Sequence, residues 1–375
     1  MSTPILSRAE CNALRGLAII GIFLHNYCHW LGPIVKENEY QYFQGRVDAL
    51  NQALTHPDWL LPMHLLSFFG HYGVPLFLFL SAYGLVLKYE HKPDVAASIN
   101  SSTEIIIIQV RRIWDFIRYH YLKLFKMMIV GFVAFTMIDA ITPGRHHYQV
   151  MDIVSQLLMF NNLLPNPDKI IWPGPYWFFG LMMQFYIIYR LFLYRRHWGF
   201  TVAFIAVSEL ILLACNPEGE ALNRWHYNFI GGMLPFGMGL LTARHGEPFT
   251  YRLCAIVVLP SIFMVYYFSE GFLNWTFVPL AVIFTNICLV KLLQPKSRHK
   301  FSSFLTSIYQ FLQWMGSISA ALFVCHPITR KIFIPISRHG DYYTGLLLYI
   351  ISSVCLAWLF NELLKRIPNP SQVKH

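Results

Sequence analysis

Runs of about 20 apolar residues recur along the whole chain, and a run of that length is what an α-helix needs to cross the hydrocarbon of a bilayer. Ten such runs are found, at 14–32, 67–87, 122–141, 175–194, 198–215, 228–243, 253–269, 275–294, 310–333 and 343–364. They are continuous rather than alternating, which argues against a β-barrel. Of the 375 residues, 55% are hydrophobic and only 13% charged; a soluble domain carries about 25% charged residues. Too little charge remains to cover a water-soluble globule, which excludes soluble enzymes, disordered chains and secreted disulfide scaffolds. The expected fold is all-α: a polytopic membrane helix bundle of about ten transmembrane helices, forming a single domain over 1–375.

The net charge of +10 is tested first as topology. When the ten runs are threaded through a membrane, 21 of the 29 Lys and Arg fall on the side of the N-terminus. Cytoplasmic loops carry such an excess, so both termini are expected to be cytoplasmic, in a multi-pass protein of a bacterial inner membrane. Nucleic acid is therefore not expected as a partner, and membrane lipids are. The outer loops are 33–66 and 142–174, and the inner loop is 88–121. The first of these is aromatic and proline-containing (Tyr40, Tyr42, Phe43, Trp59) and is expected to fold as a cap over the bundle. The first run has no small-residue cleavage site, and no appended soluble domain is expected. Seven cysteines without a CxxC pair predict buried thiols, and no metal site is expected.

The chain has no GxSxG, GxxxxGK[ST] or HExxH, so soluble-enzyme machinery is not expected. Polar residues inside the apolar runs become the candidates, because a charge or imidazole in hydrocarbon is costly. The first run reads LRGLAIIGIFLHNYCHW from Leu14 to Trp30. Arg15 opens it and stays charged, able to hold a phosphate or carboxylate bidentately. His25 follows ten residues later, about 15 Å along a helix. An imidazole at that depth is suited to act as a general base. His29 reads as an interface residue. A buried histidine in a ten-span bundle also suits a proton-coupled secondary transporter, which is the alternative reading.

Five segments together resemble the acyltransferase-3 family of integral membrane O-acyltransferases. The Arg15-to-His25 helix is similar to the family's opening helix. GHYGVPLFLFLSAYGLVL (Gly70 to Leu87) is similar to its G-x-x-G-V-x-L-F-x-x-L-S segment. YWFFGLMMQFYIIY (Tyr176 to Tyr189), LPFGMGLLTAR (Leu234 to Arg244) and SISAALFVCHP (Ser317 to Pro327) resemble three further helices, in family order. The family usually spaces its Arg and His by eleven positions, whereas here the spacing is ten, and a bulge near Gly21 would restore the alignment. The resemblance implies transfer of an acyl group, acetyl above all, from cytoplasmic acyl-CoA to a hydroxyl of a cell-surface glycan or lipid-linked acceptor. It implies His25 and Arg15 as catalytic residues. Arg111, Arg112 and Arg118 are the acyl-CoA-binding candidates, and Ser81, Tyr83, Trp177, Gln184 and His326 are candidates to line a substrate tunnel.

Overall fold

A computed structural model describes residues 5–90, 102–294 and 300–371, and all regular structure among them is helical. Helix α1 (Arg8–Cys28) starts in a capping box. Ser7 Oγ accepts from Glu10 N at 3.2 Å, and Glu10 Oε2 accepts from Ser7 N at 2.7 Å. A loop carrying α2 (Gln44–Thr55) leads to α3 (Leu61–Phe69), a 3₁₀ turn (Gly70–Tyr72) and α4 (Gly73–Tyr89). Then come α5 (Ser102–Ile141), the short α6 (Val150–Leu157) and α7 (Pro167–Ile170), α8 (Trp177–Ile188), α9 (Trp198–Leu213), α10 (Glu220–His226), α11 (Phe229–His245), α12 (Tyr251–Ser269), α13 (Phe272–Trp275) and α14 (Val278–Leu293). The chain closes with the long α15 (Lys300–Arg338) and α16 (Tyr342–Arg366).

Among the described residues, six helical segments are long and apolar enough to cross a membrane: Leu61–Tyr89, Ile106–Ile141, Gly174–Leu193, Tyr251–Ser269, Ser303–Arg338 and Tyr342–Arg366. Each of the ten apolar runs lies on a helix, yet only six reach that standard. The reasons are local. Helix α1 carries Arg15 and a polar His25 end, α9 and α14 stop after 16 residues, and α11 stops after 17. The surface is what lipid requires and water would not tolerate: α12 leaves Ile256 and Leu259 each 73% exposed and Phe263 64% exposed. The expected inner loop 88–121 is mostly helix, because α5 runs unbroken from Ser102; residues 91–101 of it lie outside the described residues.

Helix α1 is central. It packs most extensively against α15, and also against α3 and α4. Close approach is permitted by glycine: a Cβ on Gly21 would fall 2.9 Å from the carbonyl oxygen of Gly70, and Gly16 and Gly316 press on the backbones of Leu312 and Asn12. The two helices run side by side in parallel, as Arg330 bonding to Asn26 and Ser337 bonding to Tyr27 show. Ion pairs tie the bundle at both ends. Glu10 pairs with Lys291 and Glu90 with Arg244 (2.7 Å) near the start of α1, and Asp139 pairs with Lys331 (2.8 Å) near its end. Helix α1 is an uninterrupted α-helix, so the expected bulge at Gly21 is absent and Arg15 and His25 stay about 80° apart around it.

Candidate active site

His25 sits one turn before the end of α1, 2% exposed. Its Nδ1 lies 2.6 Å from the carbonyl oxygen of Ser67 in α3. A carbonyl only accepts, so Nδ1 carries the proton and donates it. In the neutral ring this leaves Nε2 with its lone pair. Ser67 is itself held, its hydroxyl donating to the carbonyl of Val35 at 2.6 Å. Two further imidazoles flank the ring: His29 at 4.6 Å and His71 at 5.5 Å between centroids.

The loop between α1 and α2 turns back into the bundle and brings two carboxylates to this ring. It is anchored where Trp275 Nε1 donates to the carbonyl of Asn38 (2.9 Å) and Tyr42 N donates to that of Pro217 (2.9 Å). Glu37 Oε1 bonds His29 Nδ1 at 3.0 Å. Burial pushes the Glu37 carboxyl up, but the charge and hydrogen bond of His29, with the charge of His25, outweigh it and leave the group well below the usual carboxylate range. Glu39 Oε2 stands 3.9 Å from His25 Nε2, too far for a hydrogen bond. Burial, and then the charge of Glu37, hold Glu39 well above the usual carboxylate range.

These groups border a cavity of about 320 Å³. Its walls are aromatic. Tyr40 stacks flat on Tyr227, with centroids 4.1 Å apart, and Trp177 meets both rings edge-on at 5.5 and 5.6 Å. Trp30 and Trp172 meet edge-on at 6.4 Å. Asp168 and Asn223, bonded to each other at 2.7 Å, and Gln41 add polar edges. Flat aromatic faces beside fixed carboxylates and amides suit a ligand that is apolar on its ring faces and hydroxylated at its rim.

The structure brings only some of the expected site residues together. His25 and Trp177 line the cavity. Arg15 does not; it bonds Asn12 Oδ1 (2.9 Å) about 15 Å back along α1, within electrostatic reach of Lys123. Arg111, Arg112 and Arg118 ride on the first half of α5, whose other end carries Asp139, about 30 Å away along the axis from Arg118. Tyr83 donates to the carbonyl of Leu6 and accepts from its N–H (2.9 Å), anchoring the segment before α1. Gln184 bonds Asn228 (2.7 Å) and the N–H of Phe229 (3.0 Å), joining α8 to α11. His326 is fully buried with Nδ1 on the carbonyl of Leu322, and neither it nor the half-buried Ser81 borders the cavity. The contributions of Glu37, Glu39, His71, Tyr227 and Arg330 escaped sequence reading. The acidic Glu37 and Glu39 within an otherwise aromatic loop were the available signal.

No metal motif stands in the sequence, yet His25, His29 and Glu37 each offer one ligand atom within 4.8 Å of the others, and such a nitrogen and oxygen set fits a cation like Zn²⁺. In the arrangement described, His29 Nδ1 and Glu37 Oε1 already bond each other. With Nδ1 committed to Ser67, the free position of the His25 ring is Nε2, beside the cavity. Among known proteins, the family model described as an acyltransferase domain, acyltransferase-3, matches residues 8–362. No curated protein and no solved structure matches the chain.

Proposed function

The chain belongs to the acyltransferase-3 family, and from that premise we propose that it moves an acyl group, most simply acetyl, from cytoplasmic acyl-CoA to a hydroxyl of a cell-surface glycan or lipid-linked sugar, with His25 as general base. The observation that carries this reading is the hydrogen bond from His25 Nδ1 to Ser67, which presents the Nε2 lone pair beside a cavity walled by aromatic rings. In the proposed step, Nε2 takes the acceptor's hydroxyl proton as its oxygen attacks the thioester carbonyl carbon. The tetrahedral intermediate collapses with loss of the C–S bond. The departing CoA thiolate then recovers the proton from the imidazolium, so no charge or proton is left over.

The arrangement also supports a two-ended reading of the bundle. In this proposal ten helices cross the membrane with both termini inside. The basic group of Arg15, Lys123, Arg111, Arg112 and Arg118 then faces the cytoplasm, where it attracts the phosphates of the donor. Arg15 is assigned to the donor rather than to the reacting atoms. The pantetheine arm spans the stretch from there to His25, and the acceptor enters from the Trp30 end. Family membership does not favour the transporter alternative.

The test is transfer of radiolabel from acetyl-CoA to extracted surface glycans by the purified full-length protein. Loss of about 10²–10⁴-fold in rate is expected for His25→Ala, the usual contribution of a positioned acid–base group. Full transfer by that variant would remove the assignment. Mass spectrometry of surface glycans from a deletion strain identifies the acceptor.

A further inference from the structure

Arg330 of α15 borders the same cavity as His25 and is 6% exposed. No other Lys or Arg among the described residues is so deeply buried. Three of the other enclosed cations among the described residues hold a carboxylate: Arg244 has Glu90, Lys331 has Asp139 and Lys291 has Glu10. Arg330 has none. Its Nη1 donates to the backbone oxygen of Asn26 at 3.2 Å and stands 3.4 Å from the Asn26 side-chain oxygen, while the guanidinium lies over the Trp30 ring at 5.1 Å. These contacts fix the plane of the group and leave its remaining N–H donors open to the cavity. A guanidinium taken from water without an anion is uncompensated, and its flat fork matches a carboxylate or phosphate.

We propose that Arg330 is an anion-binding residue of the acceptor site, so that the acceptor is an acidic saccharide, bearing a carboxylate or phosphate on or next to the sugar that is acylated. The inference rests on the acyl-transfer reading and adds the acceptor's chemical class to it. Asn26, which Arg330 grips, directly follows His25 on α1. The acid group and the reacting hydroxyl therefore reach two adjacent positions of one helix. Trp30 serves both the cation and the sugar face.

The test measures binding first and transfer second. Full-length protein is titrated with methyl glucoside, glucuronic acid, glucose 6-phosphate and CoA, with tryptophan fluorescence, to which Trp30 and Trp177 contribute, as readout. At least one acidic sugar is expected to bind about tenfold or more tighter than methyl glucoside, as a charge-assisted pair allows. The glucuronic acid and glucose 6-phosphate arms separate a carboxylate from a phosphate. Arg330→Gln is expected to erase that preference by weakening the acidic sugar alone, and Arg330→Lys to keep part of it. Inorganic phosphate is expected to displace the acidic sugar from the unaltered protein and not the neutral one, a measurement that needs no variant. Equal binding of acidic and neutral sugars would overturn the proposal. So would an Arg330→Gln effect confined to CoA, which places the donor there. An equal loss of transfer to both sugar classes without change in their binding would also overturn it, assigning Arg330 to the tetrahedral oxyanion instead. A protein that shows the Arg330-dependent preference yet transfers no acetyl group would refute the acyl-transfer reading and leave the anion site standing.

Discussion

A Cβ on Gly70 would stand 2.7 Å from the Cβ of His25 and 2.6 Å from the carbonyl oxygen of Gly21. The 3₁₀ turn between α3 and α4 is thus held directly against His25, and the contact has no slack. Gly70→Ala is expected to destabilise the protein by about 1–3 kcal/mol, the cost of overpacking a tight contact. Because the neighbour displaced is His25 itself, transfer should fall further than the loss of folded protein explains. The check is the thermal midpoint beside the specific rate; an unchanged rate per folded molecule would show that His25 tolerates the displacement.

Glu39 predicts a pH dependence of stability. Its folded value lies well above the ordinary 4.5 because of burial and the charge of Glu37. Between pH 4.5 and that raised value, the native state keeps a proton that the unfolded chain has released. Stability therefore falls as pH rises through this window and is fully present below it. Glu39→Gln keeps the neutral form at every pH. Its advantage in thermal midpoint over the parent is expected to grow as pH rises through the window and to be constant below 4.5. A difference independent of pH would mean that Glu39 titrates normally.

The lone pair that serves His25 as a base in the proposed reaction also suits it to metal ligation. With His29 and Glu37 in reach, Zn²⁺ is expected to inhibit transfer reversibly. Chelation should restore the rate, and His29→Ala should weaken the inhibition by about tenfold or more. A chelator added to the untreated enzyme should leave the rate alone, since the lone pair cannot serve ion and proton together. A chelator that abolishes activity would assign the three residues to a working metal centre instead.

Tyr83 tests structure against substrate contact. Its hydroxyl ties α4 to the backbone of Leu6. Tyr83→Phe is expected to cost about 1 kcal/mol, the net worth of one hydrogen bond, and to leave KM for donor and acceptor unchanged. A raised KM without loss of stability would return Tyr83 to the site.

What was legible in the sequence is what lipid enforces. A crossing helix has to be apolar along its length, so each of the ten runs lies on a helix, and an imidazole inside such a run stands out; this is why His25 could be singled out. The count of crossings was less legible, because hydropathy does not say where α9 or α14 stops. Polar residues within runs divide into those that staple helices, as Gln184 and Tyr83 do, and those that face a cavity, as Trp177 does. Only their partners tell them apart. Glu37 and Glu39 belong to a loop whose path back to His25 is set by distant anchors such as Trp275 and Pro217, and nothing local encodes that. Arg330 resembled an ordinary flanking cation until the lack of a carboxylate beside it could be seen.

The parallel pairing of α1 with α15 has a consequence for biogenesis. The proposed base lies on α1, and the wall it faces, with Phe323 and Arg330, lies on α15, with Asn26 and Arg330 separated by 304 positions. Contacts of such wide sequence separation close late. A growing chain therefore carries its imidazole with no finished pocket around it until α15 docks.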